Sequence, residues 1–150
     1  MNKVWIDDKY GQRRRVLECV AVLLVNDEED RLLTVSRGDK ETLPGGKVDP
    51  EDREIAHGKR ERYTRYAAAR ELREETGVEI ELQDLRLVFE DYDVADHYTA
   101  TFIAKFQGGT IWTDEKHTIQ WSPPAVILDG PFGDYYRRLF EALRRCSTGT

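Results

Sequence analysis

The sequence predicts one mixed α/β (α+β) domain, a sheet-rich first half closed by a helix at the end. Three observations carry that expectation. Two apolar runs, Val16 to Val25 and Arg31 to Ser36, flank a turn of small acidic residues from Asn26 to Asp30, the pattern of paired strands. A segment rich in Ala, Glu, Arg and Leu, from Tyr63 to Thr76, has helical composition and stops at Gly77. Near the end, Phe132, Tyr135, Tyr136, Leu139, Phe140 and Leu143 recur at helical spacing and give the last helix, to about Arg145, an apolar stripe.

The remaining elements follow in order. Lys3 to Ile6 reads as a short edge strand, with a turn at Tyr10-Gly11. Leu43-Pro44-Gly45-Gly46 breaks regular structure, because proline fixes φ and the glycines permit unusual backbone. Asp49 to Arg62 is dense in charge and poor in apolar residues, the composition of a loop. Val78 to Leu82, Leu85 to Tyr92 and Tyr98 to Phe106 read as strands, Gly108-Gly109 as a turn, and Ile119 to Trp121 as a last short strand.

At 150 residues the chain suits a single domain over 1–150. Its 23 basic and 29 acidic residues leave a net charge of −6, which argues against nucleic acid or a membrane surface as the main partner. No apolar run approaches a bilayer span, the first residues lack a signal-peptide core, and Cys19 and Cys146 match no metal or disulfide pattern. A cytoplasmic setting is the expectation.

The acidic surplus concentrates on the first helix. On a wheel of about 100° per residue, Ala68, Leu72 and Thr76 face the core, and Glu71, Glu74 and Glu75 share one arc. Ala67 is the only other residue on that arc, which leaves open space above the carboxylates. Glu74 has Arg70 four residues before it, but Glu71 and Glu75 have no basic neighbour at three or four residues. The acids also gather at the helix C-terminus, where the macrodipole favours cations. Two local rules broken together mark a candidate site. A hard divalent cation held by oxygen ligands, with substrate phosphates completing its shell, would supply the missing counter-charge. Gly45-Gly46, just upstream, lets backbone approach such a ligand closely.

Arg70-Glu71-Leu72-Arg73-Glu74-Glu75-Thr76-Gly77-Val78 matches the second half of the Nudix box at every specified position, and Leu43-Pro44-Gly45-Gly46-Lys47-Val48 resembles its lead-in. One departure stands out. Seventeen residues separate Asp52 from Arg70 where the family has seven, so the loop carries a ten-residue insertion. The first acid of the box is Asp52, or is displaced to Glu51 or Glu54.

The resemblance implies a mixed β-sheet sandwiched between helices, a Mg²⁺ or Mn²⁺ cofactor, and hydrolysis of a nucleoside diphosphate linked to another group. By position, Glu71, Glu74 and Glu75 would hold metal, helped by the backbone of Gly45 or Gly46, and Arg70 would orient a glutamate. Glu115, six residues before Trp121, matches a further acidic residue of some members and is a candidate for metal or base; His117 is a weaker candidate base. Arg37 and Lys47 flank the glycine pair as candidate phosphate contacts, and Lys59, Arg60, Arg62 and Arg65 could reach the same phosphates. Trp5, Tyr92, Tyr98 and Phe132 are candidates for stacking on a base. His57 and His97 read as surface residues. The expected substrate is a nucleoside triphosphate or an oxidised one such as 8-oxo-dGTP. An ADP-ribose-type hydrolase and a non-catalytic nucleotide-binding module are the alternatives, and a homodimer is compatible with the resemblance.

Overall fold

The computed structural model describes residues 3–55, 59–94, 96–112 and 117–148. Its strands are β1 (Val4–Asp7), β2 (Arg13–Val25), β3 (Leu32–Arg37), β4 (Lys40–Thr42), β5 (Gly45–Lys47), β6 (Arg86–Tyr92), β7 (His97–Lys105) and β8 (Ile119–Ser122). The helices are α1 (Pro50–Ile55), α2 (Arg60–Thr76) and α3 (Gly133–Thr148). The sheet runs β4-β3-β2-β7-β6, with β1 and β5 also pairing β2, and β8 pairing β3.

The long strand β2 is covered on both faces, which is why its sequence shows no strict alternation. Val20, Val22 and Leu24 pack with Ala68, Leu72 and Phe102 on the α2 side. Ala21 and Leu23 pack with Tyr135, Tyr136 and Leu139 on the α3 side. The sheet is therefore sandwiched between α2 and α3, as the resemblance implied. Gly77 closes α2 at φ 78°, and its N–H donates to the Arg73 carbonyl at 2.9 Å.

Three expectations change. The described residues of 49–62 are not all loop: they contain α1 and the start of α2. The stabilisation of α1 is ionic, not apolar, so composition hid it. Asp52 faces Arg70 of α2, and Arg53 faces Glu18 of β2. Residues 45–47 form a strand where a break was expected. Glycine is what allows it, since a Cβ on Gly45 would lie 2.1 Å from the Val20 carbonyl oxygen. Residues 78–82 form no strand; Val78 and Leu85 reach the core around a single 3₁₀ turn, Leu82–Asp84, that leaves Leu82 exposed.

Glu18 holds the inserted segment to the sheet. Its side chain is fully buried, and it accepts from Tyr63 Oη at 2.5 Å, Arg60 Nε at 2.8 Å and Arg53 Nη2 at 3.3 Å. Arg60 also donates to Glu90 at 2.7 Å. Among the described residues, no helix is long and apolar enough to cross a membrane. Glu18→Ala leaves two half-buried guanidiniums facing an empty site; the expected cost is about 3 kcal/mol, read as a lower urea midpoint with an unchanged m-value.

Candidate functional site

The face of α2 next to β5 builds the site. Ala67 is fully buried, so the space above the carboxylates is closed, not open. The strand β5 lies across it, and a Cβ on Gly46 would meet the Glu71 carboxyl at 2.5 Å. The glycine pair thus lets a strand seat directly on the glutamates.

Glu75 accepts from the Gly45 N–H at 2.7 Å through Oε1 and from Arg37 Nη2 at 2.7 Å through Oε2. Arg37 is steadied by its Nε donating to Thr42 Oγ1 at 2.8 Å. The counter-charge that α2 lacks therefore comes from β3, a partner no helical spacing could show. Glu71 accepts from Arg70 Nη1 at 3.1 Å, across adjacent residues. Glu74 takes the expected partner, Arg70, at 3.1 Å, and is half exposed.

Arg70 is the hub of the cluster. Its Nε and Nη2 donate to the two oxygens of Asp52 at 3.0 and 2.8 Å, a bidentate pair. Asp52 is 1% exposed, and Glu51 and Glu54 lie on the surface, so Asp52 is the acid of the three that pairs with Arg70. That pair ties α1 to α2. Burial is the largest influence on Glu71 and pushes its carboxyl up to about 7; Arg70 opposes the shift, and Glu75 and Glu74 add to it.

Beside β5, on the α3 face of the sheet, lies a cavity of about 230 Å³. Arg37, Gly45 and Lys47 line one side, Asp93, His97 and Thr99 the other, and Phe132, Tyr135 and Tyr136 cover it. The register explains the layout. Cys19 of β2 stands between Lys47 and Thr99, its partners on β5 and β7, so the two sides are two strand spacings apart, roughly 10 Å.

Arg37, Lys47, Gly45 and Gly46 all line this one cavity. The insertion's cations do not all join them. Arg60 is spent on Glu18 and Glu90, and Arg65 donates to the Leu85 carbonyl and Glu61. Both face away from the carboxylates because buried acids elsewhere claim Arg60, and helix geometry turns Arg65 to the other side. Of the stacking candidates, Phe132 reaches the cavity, Tyr98 is core and Trp5 stands exposed. His97 is a cavity residue, not a bare surface one. Glu115 and His57 lie outside the described residues. Asp93, Thr99 and Cys19 were missed, since only the parallel pairing of β2 and β7 places them, and no local pattern encodes it.

Among the described residues, no three His, Cys, Asp or Glu side chains form a ready-made metal cluster. The donor set still fits a divalent cation in kind. Glu71 is a half-buried carboxyl pushed toward neutrality by burial, and Glu71 and Glu75 offer hard oxygens of the type Mg²⁺ or Mn²⁺ takes. Arginines supply the compensating charge in this arrangement.

The family model of the NUDIX domain matches residues 17–143. Solved structures agree in fold. MutT from Methanosarcina mazei Go1 is 19% identical at a TM-score of 0.58, covering 84% of this chain and 94% of its own. The Ap4A hydrolase of C. elegans, in a binary complex, is 17% identical at 0.60, covering 87% and 96%. The NUDIX domain of Shewanella oneidensis NrtR, complexed with ADP ribose, is 19% identical at 0.62, covering 92% of each chain. A comparison with curated proteins gives no significant match.

Folding raises the Glu71 pKa from 4.5 to about 7, so between those values the folded state holds the extra proton. Its contribution to stability is complete below pH 4.5 and is lost as pH rises through 7. In chelator, Glu71→Gln is expected to flatten that part of the stability–pH curve, measured by urea unfolding at pH 5, 6, 7 and 8.

Proposed function

The chain belongs to the Nudix family, as a hydrolase of phosphoric anhydride bonds, and from that premise we propose a metal-dependent pyrophosphohydrolase. Its substrate is a nucleoside triphosphate or an oxidised one, and its product a nucleoside monophosphate. The observation that carries this reading is that Glu71 and Glu75 lie against Gly45-Gly46, and that Arg37 links Glu75 to the cavity.

Each residue has a part. Glu71, Glu74 and Glu75, with backbone from Gly45 or Gly46, would hold Mg²⁺ or Mn²⁺. When bound, the metal supplies charge neutralisation of the polyphosphate and a more acidic water. Arg70 is a positioning residue: it is fixed by buried Asp52 and in turn orients Glu71 and Glu74. Arg37 pairs with Glu75 and lines the cavity, and Lys47 lines it too, where both can meet phosphate oxygens as charged donors. The ring of Phe132 supplies a flat wall to a heterocycle.

Cavity size supports a single nucleoside. About 230 Å³ lies below the roughly 300–1,000 Å³ of pockets that bury drug-sized ligands. The ADP ribose complex of the NrtR domain makes a nucleoside diphosphate sugar the competing substrate.

A panel of nucleoside triphosphates and ADP-ribose with Mg²⁺, with products identified by chromatography, tests the reading. Monophosphate release from a triphosphate is the expected result; preferential cleavage of ADP-ribose moves the assignment to the sugar class. Glu75→Gln is expected to lower kcat about a hundredfold or more while leaving the circular dichroism unchanged. Near-normal turnover in that variant overturns the site assignment.

A further inference from the structure

Three buried acids of this protein find an arginine, while buried Asp8 is held instead by the Tyr92 hydroxyl at 2.7 Å and the backbone N–H groups of Tyr10 and Gln12. Glu18, Asp52 and Asp91 have side chains 0%, 1% and 4% exposed, and each is paired with an arginine. Asp93 is half-buried with its side chain 8% exposed, and no Lys or Arg of the described residues pairs with it. Its partners are weaker. Thr99 Oγ1 donates to Oδ2 at 2.7 Å, the Val94 N–H donates to Oδ1, and His97 Nδ1 stands 3.7 Å from Oδ1, beyond hydrogen-bond length. Burial raises its pKa, with those hydrogen bonds and His97 opposing. A desolvated carboxylate without a strong cation is costly, and groups in that condition gather at functional sites.

Position says what the group is for. Asp93 lines the cavity on the side away from Arg37 and Lys47, and Phe132 walls the same space. A nucleotide whose phosphates lie against Arg37 and Lys47 extends its base toward Asp93. Each carboxylate oxygen already accepts one hydrogen bond and retains capacity for another. Two such oxygens side by side present a pure acceptor face. Of the common bases, guanine alone has two adjacent N–H donors on one edge, at N1 and the 2-amino group. Adenine offers a ring acceptor beside its amine, cytosine likewise, and uracil or thymine a single N–H between two carbonyls. An acceptor set against a buried carboxylate leaves both unpaired, which is how a polar site rejects a near-isostere.

We propose that Asp93, oriented by Thr99, is the specificity-determining residue of this site and selects a guanine-type base through its adjacent N–H donors. The inference rests on the hydrolase reading for the placement of the phosphates.

The test compares turnover of dGTP, dITP and dATP with Mg²⁺, and binding of GMP, IMP and AMP by calorimetry, in the native protein and in Asp93→Asn. Inosine lacks only the 2-amino group, so the native panel needs no substitution. The expected order is guanine over inosine over adenine, with about a tenfold or larger gap between the first and last. An asparagine offers one donor and one acceptor, so Asp93→Asn should reduce the dGTP to dATP ratio of kcat/KM at least about tenfold, chiefly through KM. A purely structural role for Asp93 would lower all three substrates alike. Equal use of the three bases by the native protein, or a uniform loss in the variant, overturns the proposal. Guanine-selective binding of monophosphates without turnover of any triphosphate overturns the hydrolase reading and leaves this one standing; turnover without base preference does the reverse.

Discussion

A carboxylate taken out of water is costly without positive charge, and for Glu18, Asp52 and Glu75 arginines from distant segments provide it. Glu18 is held by Arg53 and Arg60, Asp52 by Arg70, and Glu75 by Arg37. The cost of burying an unpaired charge makes each of these contacts obligatory, and each crosses between elements. Together they fasten the inserted segment to β2, α1 to α2, and α2 to β3. The site is assembled from the ends of these ties. Asp52 fixes Arg70, Arg70 fixes Glu71 and Glu74, and Arg37 stands between Glu75 and the cavity.

The same constraint explains what the ten-residue insertion does. Extra chain in a loop costs little in closure entropy, but it would free the first acid from its place. Here Asp52 and Arg53, neighbours on the short helix α1, face opposite ways, Asp52 toward Arg70 and Arg53 toward Glu18. Asp52 is thereby held on the arginine of the box.

Much of this was legible in the sequence and some was not, for physical reasons. Helical periodicity located Glu71, Glu74 and Glu75 on one face and Leu72, Ala68 and Thr76 on the other, because those relations repeat within one element. Gly77 ended α2 where its left-handed backbone was required. The partner of Glu75 was invisible, because Arg37 is 38 residues away and arrives through the sheet. The fully buried Ala67 seemed to mark open space, since a small residue reads the same whether it faces a void or a close-packed strand. Val78 to Leu82 looked like a strand because alternation cannot distinguish sheet pairing from two core contacts on either side of a turn. Asp93 and Thr99 gave no local signal at all; their importance comes from the register that sets Thr99 beside Cys19.

The central claim is that Glu71 and Glu75 form the cation site of this chain. Binding of Mn²⁺ without nucleotide, followed by loss of the free-ion electron paramagnetic resonance signal, tests it most directly. The account predicts saturable binding in the native protein and its loss in the Glu71→Gln, Glu75→Gln double variant. Undiminished Mn²⁺ binding by a folded double variant would contradict it.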